Sequence, residues 1–377
     1  MAVASVLSAL IAVTPAVHHG PVRVPDGAVA LTAAEALIMS GTSMPDVTPE
    51  WMDFVSRNFI VPTVGEGYLN TPVVTPEQFW PFTGLTSLSL NDSTEIGWKI
   101  LDDRVDALIA ANRAAGFPDD PITVFGYSQS AWLAAIEKQA LGADSARGAT
   151  LPPTSFVMLA DPVRPNGGLF ARGFAPALVK WTPVVSAPTD TPFPTYDIAR
   201  QYDFFADFPA YPLNLLADVN AVFGLLDHNY APVTLDPADP AYDPNTVVQR
   251  YGDTTYYLIP SKLPILAPLR RAGHDRAADA IDPVLRVFVE LGYDRGTPYG
   301  QPTPFKLAPH VDPAELRSEL HAAFEQSAQI LKSVPAQANT SPAAASVPGT
   351  HRARTVGRDG PRKAVRPDRR ISPAGST

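Results

Sequence analysis

Ile122-Thr123-Val124-Phe125-Gly126-Tyr127-Ser128-Gln129-Ser130-Ala131-Trp132-Leu133 decides how this chain is read. Its first four residues are apolar or β-branched and read as a buried strand. Gly-x-Ser-x-Ser then reads as a sharp turn, and Ala131 through Leu141 supply helix formers. A strand, a small-residue turn with a central serine, and a helix make a nucleophile elbow. Small residues two before and two after the serine are needed because the turn is strained and strand and helix pass close together. The commoner pattern ends in glycine; Ser130 is the next smallest residue that keeps the turn feasible.

Working outward, an elbow needs three further parts: a second oxyanion donor, an acid and a base. Upstream, Ala36-Leu37-Ile38-Met39-Ser40 reads as an early strand ending in Gly41-Thr42-Ser43-Met44-Pro45. A small-residue turn there offers backbone N–H groups, so Thr42 and Ser43, together with the amide of Gln129, are the expected oxyanion donors. Downstream, Thr195–Tyr202 alternates as a strand and runs into Asp203 and, four residues on, Asp207. An acid just past a strand end, after the serine in sequence, is where this architecture carries its triad acid. Asp203 is preferred, with Asp207 as the alternative, and the other of the two is expected to cap the helix Leu213–Leu226. That helix leads to Asp227-His228-Asn229-Tyr230, and His228 completes the order Ser…Asp…His. Of seven histidines, His310, in a loop before a helix, is the rival. In this reading Ser128 attacks an acyl carbon, His228 carries the proton, and the aspartate fixes the imidazole tautomer.

The remaining elements follow from caps and periodicity. Thr48-Pro49-Glu50 opens a helix over Trp51–Phe59, with Thr48 as N-cap and Pro49 at its first position. Asp92 or Ser93 is expected to cap a long helix ending at Gly116, with Ile96, Ile100, Leu101, Val105, Leu108 and Ile109 as its buried stripe. Asp102, Asp103 and Asp106 read as its solvated face rather than a metal site. Ser155–Ala160 is a further strand, and the proline-rich stretch 163–194 after it reads as a lid-like excursion, with Trp181 and Phe193 lining a pocket or closing the core. Residues 235–246 read as a turn-rich loop, Thr254–Ile259 as a late strand, and Asp282 and Asp312 as starts of two helices. The buried face expected of Leu213–Leu226 is Leu215, Leu216, Val219, Val222, Phe223 and Leu226. That of the last helix is Leu316, Leu320, Phe324, Ile330 and Leu331. Helix and strand alternate as in a parallel α/β sheet.

The 377 residues include no cysteine, which excludes disulfides, thiolate metal sites and cysteine nucleophiles. Residues 1–17 are apolar and Ala/Val-rich, and the segment 1–30 is expected to be signal-peptide-like or an anchor, although it lacks a basic start. The α/β domain is expected over 31–333. From Val334 the chain becomes Ser/Pro/Ala-rich and then basic, so 334–377 is expected to be a disordered tail. Residues 351–377 hold 8 basic and 2 acidic residues, leaving 21 against 36 in the rest of the chain, a net of −15. An acidic body argues against nucleic acid as partner.

With these residues in hand, the chain resembles the PE-PPE domain family of mycobacteria and related actinobacteria, serine hydrolases of the α/β-hydrolase fold. The resemblance covers roughly residues 33–305. It rests on Gly41-Thr42, Thr75-Pro76 with Pro81-Phe82-Thr83-Gly84, Gly126-Tyr127-Ser128-Gln129-Ser130, Gln201-Tyr202-Asp203 with Ala206-Asp207-Phe208-Pro209, Tyr211-Pro212-Leu213-Asn214-Leu215, and Lys262 through Arg270. The Gly-x-Ser-x-Ser form is a usual variant there. The N-terminal PE or PPE helical module that many members carry is not seen. The resemblance implies an esterase acting on acyl esters or lipids, or an acyltransferase onto trehalose-type glycolipids, at the cell envelope or secreted, with no cofactor and no metal. Association with an envelope surface goes with that expectation; an inactive binding protein of the same fold is the remaining alternative.

Overall fold

The computed structural model describes residues 34–174, 178–226, 228 and 230–333. The expectations for the N-terminal segment and the basic tail fall outside the described residues. Seven strands form one sheet: β1 (Glu35–Ile38), β2 (Leu69–Pro72), β3 (Ile122–Tyr127), β4 (Thr154–Leu159), β5 (Thr195–Arg200), β6 (Val247–Tyr251) and β7 (Thr254–Ile259), in the order β2-β1-β3-β4-β5-β7-β6. All neighbours run parallel except β6, which pairs antiparallel with β7 across a tight turn at Gly252 and Asp253. This is the α/β sheet expected of the fold. β6 was not legible in the sequence, because Val247 and Val248 lie exposed at the sheet edge and carry no inward alternation.

The central strands are apolar on both faces, as parallel strands covered by helices must be. Leu37, Val124, Phe156 and Met158 point into one core layer with Leu101 and Val105 of α2 (Leu90–Ala115) and Trp132 of α3 (Gln129–Ala146). Ile38, Phe125, Val157 and Leu159 point into the other, against Val55 of α1 (Pro49–Val55) and Phe59 and Ile60 just beyond it. A third cluster, Tyr202, Ala217, Leu263, Ala278 and Val289, joins α4 (Leu215–Leu226) and α5 (Asp275–Glu290) beside the end of β5. α6 (Pro313–Lys332) packs on α5 and starts as expected, with the Asp312 carboxylate accepting from the Ala314 N–H and Pro313 in the first turn. Thr48 likewise caps α1 through the Trp51 N–H.

Several expected details shift. Ser89, not Asp92 or Ser93, caps α2: its hydroxyl accepts the Asp92 N–H at 3.1 Å and donates to the Asp92 carboxylate, a reciprocal cap. In α2, Ile96 and Ile100 are exposed, and Ser93, Thr94 and Gly97 take the buried positions of the first turns. α5 begins at Asp275, so Pro283 lies inside it; the Asp282 carboxylate binds the Leu263 N–H and Arg286 rather than capping the helix. α6 buries Ala323 and Ser327 and leaves Phe324 and Leu331 exposed. In 235–246, Asp236, Asp239 and Asp243 fold back onto the backbone N–H groups two residues on, which makes the loop a series of turns.

The helix before His228 departs furthest from expectation. α4 buries Ala217, Asn220, Ala221 and Gly224, whereas Leu215, Val219 and Val222 face outward. The reason is distance. A Cβ on Gly224 would lie 2.3 Å from the carbonyl oxygen of Tyr202, so only the small-residue side approaches the loop that carries Asp203.

The stretch after β4 is not a free flap at its start. Residues 163–170 are buried, and Arg164 sits inside the molecule with its guanidinium on the Asp197 carboxylate at 2.5 Å and against the rings of Tyr256 and Tyr299. Phe193 closes the core against Phe156. Trp181 is half-buried, stacks on Trp98 and donates its indole N–H to Thr94. It borders an open groove of about 530 Å³ with Asn91, Leu178 and Lys180. A second buried cation, Lys138 of α3, donates to Asp253 in the β6–β7 turn and to the Pro188 carbonyl, each at 2.7 Å.

Candidate active site

Parallel strands leave a crevice at their C-terminal ends, and β1, β3 and β5 each deliver one candidate segment there. β3 remains paired to the last residue: the Ser128 N–H donates to the Leu159 carbonyl at 2.8 Å, and α3 begins at Gln129. Ser128 is left at φ 57°, ψ −113°, a left-handed conformation that is strained for a side chain larger than glycine. Strand and helix are in contact across this turn. A Cβ on Gly126 would lie 2.4 Å from the Ser130 carbonyl oxygen, so that position admits only glycine. Ser130 ties the elbow to the end of β1, because its hydroxyl accepts the Tyr127 N–H and donates to the Ser40 carbonyl.

β5 ends in a loop whose first acid is Asp203, wholly inside the protein. Its Oδ1 accepts the N–H groups of Phe205 (2.8 Å) and Ala206 (2.9 Å). Its Oδ2 accepts from His228 Nδ1 (2.7 Å) and from the Tyr230 hydroxyl (3.0 Å). Burial alone would push this carboxyl up, but the facing imidazole and the two amides outweigh it and hold it below the usual carboxylate range. The His228 ring is fixed on three sides, stacked on Tyr127 (5.5 Å between centroids, 9° between planes) and edge-on to Phe205 and Tyr230. Its Nε2 is buried with no hydrogen-bond partner among the described residues. Asp203 and His228 are therefore brought together, and Ser128 follows directly after the tyrosine stacked on that imidazole. Ser128 Oγ itself makes no hydrogen bond to the ring here. Tyr230 was missed in the sequence, and its only signal was its place two residues after His228.

Asp207 is elsewhere. Its carboxylate makes a two-pronged pair with Arg295 (2.6 and 2.9 Å) and accepts the Tyr202 N–H at 2.8 Å. It does not cap α4, contrary to expectation; the Asn214 side chain does, accepting from the Ala217 N–H. Asp207 instead braces the loop that presents Asp203. His310 is exposed in the loop before α6.

Of the expected oxyanion donors, Ser43 is spent: its N–H donates to the Glu77 carbonyl at 2.9 Å. The N–H groups of Thr42 and Gln129 have no acceptor among the described residues. Their side chains meet, with the Thr42 hydroxyl donating to Gln129 Oε1 at 3.0 Å. Gln129 Nε2 in turn donates to Ser93 Oγ at 2.7 Å, and the Gln78 N–H reaches the same oxygen at 3.0 Å.

Beside this network lies a carboxyl that sequence reading did not single out. Glu77 is buried, accepts the Thr75 hydroxyl on Oε1, and leaves Oε2 without a partner. Burial pushes its pKa to about 8, against a smaller lowering by Thr75. A carboxyl raised on folding stays protonated in the native state while the unfolded chain ionises. The native state then holds the extra proton, and stability falls as pH rises from about 4.5 to about 8. Glu137, held by the Trp98 indole N–H, is raised to about 8 by the same cause and slopes the same way. Glu77→Gln is expected to flatten this decline, so that its melting temperature at pH 8 improves on wild type relative to pH 5. Thermal melts of both proteins across that range check it, and parallel curves would contradict the buried-carboxyl account.

The comparisons with known proteins fit this geometry. A family model described as the PE-PPE domain matches residues 66–294, which span β2 to β7 and include Ser128, Asp203 and His228. Several Mycobacterium tuberculosis proteins are similar to the chain, among them the following three. The PPE family protein PPE42 is 39% identical over 300 residues, covering 76% of this chain and 49% of its own. Esterase PE16 is 36% identical over 302 residues, covering 77% and 54%. Diacyltrehalose acyltransferase Chp2 is 27% identical over 281 residues, covering 71% and 76%. The chain thus spans about half the length of the first two. A matched model over most of the parallel sheet, together with relatives that align over three quarters of the chain, establishes that this chain belongs to the PE-PPE domain family.

Proposed function

We propose that the protein is a serine esterase working through an acyl-serine intermediate, with Ser128 as nucleophile, His228 as base and Asp203 as its partner. The observation that carries this reading is the His228–Asp203 contact at 2.7 Å beside a strained serine at the head of α3. Ser128 Oγ attacks the ester carbonyl carbon and passes its proton to His228 Nε2, which has no competing partner. Hydrogen bonds of this kind commonly tighten only once substrate is bound. Asp203 holds the proton on Nδ1 and stabilises the imidazolium. The amides of Gln129 and Thr42 take the oxyanion. Collapse expels the alcohol, protonated by His228, and leaves the acyl group on Ser128. Water, activated by the same histidine, then releases the acid.

The substrate is an acyl ester of lipid character. Trp80, Phe82 and Leu85 stand exposed on the loop whose Glu77 and Gln78 brace the site, and Leu215, Val219 and Val222 stand exposed on the helix leading to His228. A second reading is transfer of the acyl group to a sugar hydroxyl, favoured by the similarity to Chp2 over 76% of that protein. It uses the same acyl-enzyme and differs only in the acceptor. Among the described residues no helix is long and apolar enough to cross a membrane; action at the cell envelope is proposed from the lipid substrates alone. A fluorophosphonate probe tests the mechanism. Intact mass is expected to rise by one phosphonyl group, mapped to Ser128, and absence of labelling overturns it. Incubating the enzyme with a long-chain acyl ester, with and without trehalose, separates the readings: free acid alone means esterase, an acylated sugar means transferase.

A further inference from the structure

The two amides left for an oxyanion belong to chain segments 87 residues apart: Thr42 in the loop after β1, and Gln129 at the first turn of α3. Oxyanion donors act only when both sit about 2.7–3.1 Å from the place the oxyanion will occupy, a geometry that must be held to within about 0.5 Å. Something must therefore set their separation. Pairing of β1 with β3 and the Ser130 bond to the Ser40 carbonyl bring the two segments side by side, but past these ties no backbone bond joins the two loops: the Ser43 N–H points to Glu77 and the Ser128 N–H to Leu159.

We infer that the Gln129 side chain, held from behind by Ser93, is the strut that fixes the two donors relative to each other. Gln129 is 4% exposed and its amide group uses both ends, Oε1 taking the Thr42 hydroxyl and Nε2 giving to Ser93 Oγ. Ser93 is wholly buried in the first turn of α2 and also takes the Gln78 N–H. The Gln129 side chain thus joins the β1 loop, the elbow helix and α2, and Ser93 extends the link to the loop from 75 to 88. Because the donor amide and the strut belong to the same residue, a shift of the strut moves the Gln129 N–H and the Thr42 loop together. Gln129 through its side chain, Ser93 and the Thr42 hydroxyl are positioning residues: they act on the reaction only through the two amides. A site that grips the tetrahedral state through a braced pair of donors favours turnover over ground-state binding. The inference rests on the acyl-serine reading.

Ser93→Ala and Thr42→Val test it in the full chain. The Thr42 side chain is half-buried at the rim, so its variant keeps the protein testable if loss of buried Ser93 unfolds it. With a p-nitrophenyl acyl ester, each variant is expected to lose about 10–100-fold in kcat, less than the ~10²–10³-fold cost of deleting a donor outright, with KM within about twofold. Affinity for an alkyl boronic acid, which forms a tetrahedral adduct on serine, is expected to fall in parallel with kcat. Ser93→Thr, which restores the hydroxyl, is expected to recover most of the loss. The double variant should lose little more than either single, because the two changes cut one strut. Unchanged kcat in folded Ser93→Ala and Thr42→Val, or a loss confined to KM, overturns the strut while wild-type labelling by fluorophosphonate leaves the acyl-serine reading standing. Failure of wild type to bind either the boronic acid or the fluorophosphonate overturns both.

Discussion

Ser128→Ala is expected to abolish turnover of a p-nitrophenyl acyl ester, with kcat falling by about 10⁴–10⁶ and the melting temperature holding or rising. The size follows from what is removed. In the proposed mechanism the hydroxyl oxygen is the atom that becomes acylated, so what survives is whatever the oxyanion donors do for attack by water. The stability part follows from the backbone. Ser128 sits at φ 57° and its hydroxyl makes no hydrogen bond to His228, so truncation to alanine deletes no native hydrogen bond to the ring. Alanine endures the same left-handed conformation as serine. Steady-state hydrolysis and a thermal melt of the variant check both halves. Hydrolysis at the wild-type rate by purified Ser128→Ala would overturn the assignment.

Asp203→Asn and Asp207→Asn are expected to separate chemistry from scaffolding, although the two acids stand four residues apart on one loop. Asparagine at 203 presents an amide where His228 Nδ1 now finds a carboxylate, which favours the wrong imidazole tautomer and removes the charge that stabilises the imidazolium. A kcat loss of about 10⁴ is expected with KM little changed. Because the Asp203 carboxyl is held below the ordinary range, it stays ionised through neutral pH; the stability it contributes is present above that range and is lost as pH falls through its depressed value. Asp207→Asn instead breaks the two-pronged pair with Arg295 and loosens the loop. A stability loss of about 1–3 kcal/mol is expected, with turnover by the folded protein reduced far less than at 203. Arg295 reaches solvent, which moderates the cost. Urea melts together with kcat of each variant decide the matter, and an equal kcat loss at both positions would show that the loop, not the charge on His228, is what matters.

Much of this site is local in sequence and was legible for that reason. Gly126, Ser128 and Ser130 form one turn, and Asp203 and His228 each follow an element whose end could be read. What escaped reading is what depends on partners far along the chain. The Asp207–Arg295 pair spans 88 residues and the Gln129–Ser93 bond 36, and neither leaves a mark on periodicity. The buried side of α4 was misjudged for a different reason. Apolar content marks the face with most to gain from burial, but Gly224 and Ala217 pack where the available gap admits only small groups, and the larger residues are displaced outward. The cap of α2 was misplaced because Ser89, Asp92 and Ser93 all have side chains able to cap, and only the path of the loop from residue 80 selects among them.

Helix α3 carries Ser128 at its head and Lys138 ten residues along, roughly 15 Å down its axis. The ammonium of Lys138 is sealed inside and clamped to Asp253 and to the Pro188 carbonyl. The strained elbow cannot relax by letting its helix slide or roll, because either motion would drag a buried cation off its counter-charge. The helix behaves as a lever pinned near its middle, so the turn at the serine is held in place by an anchor well away from it.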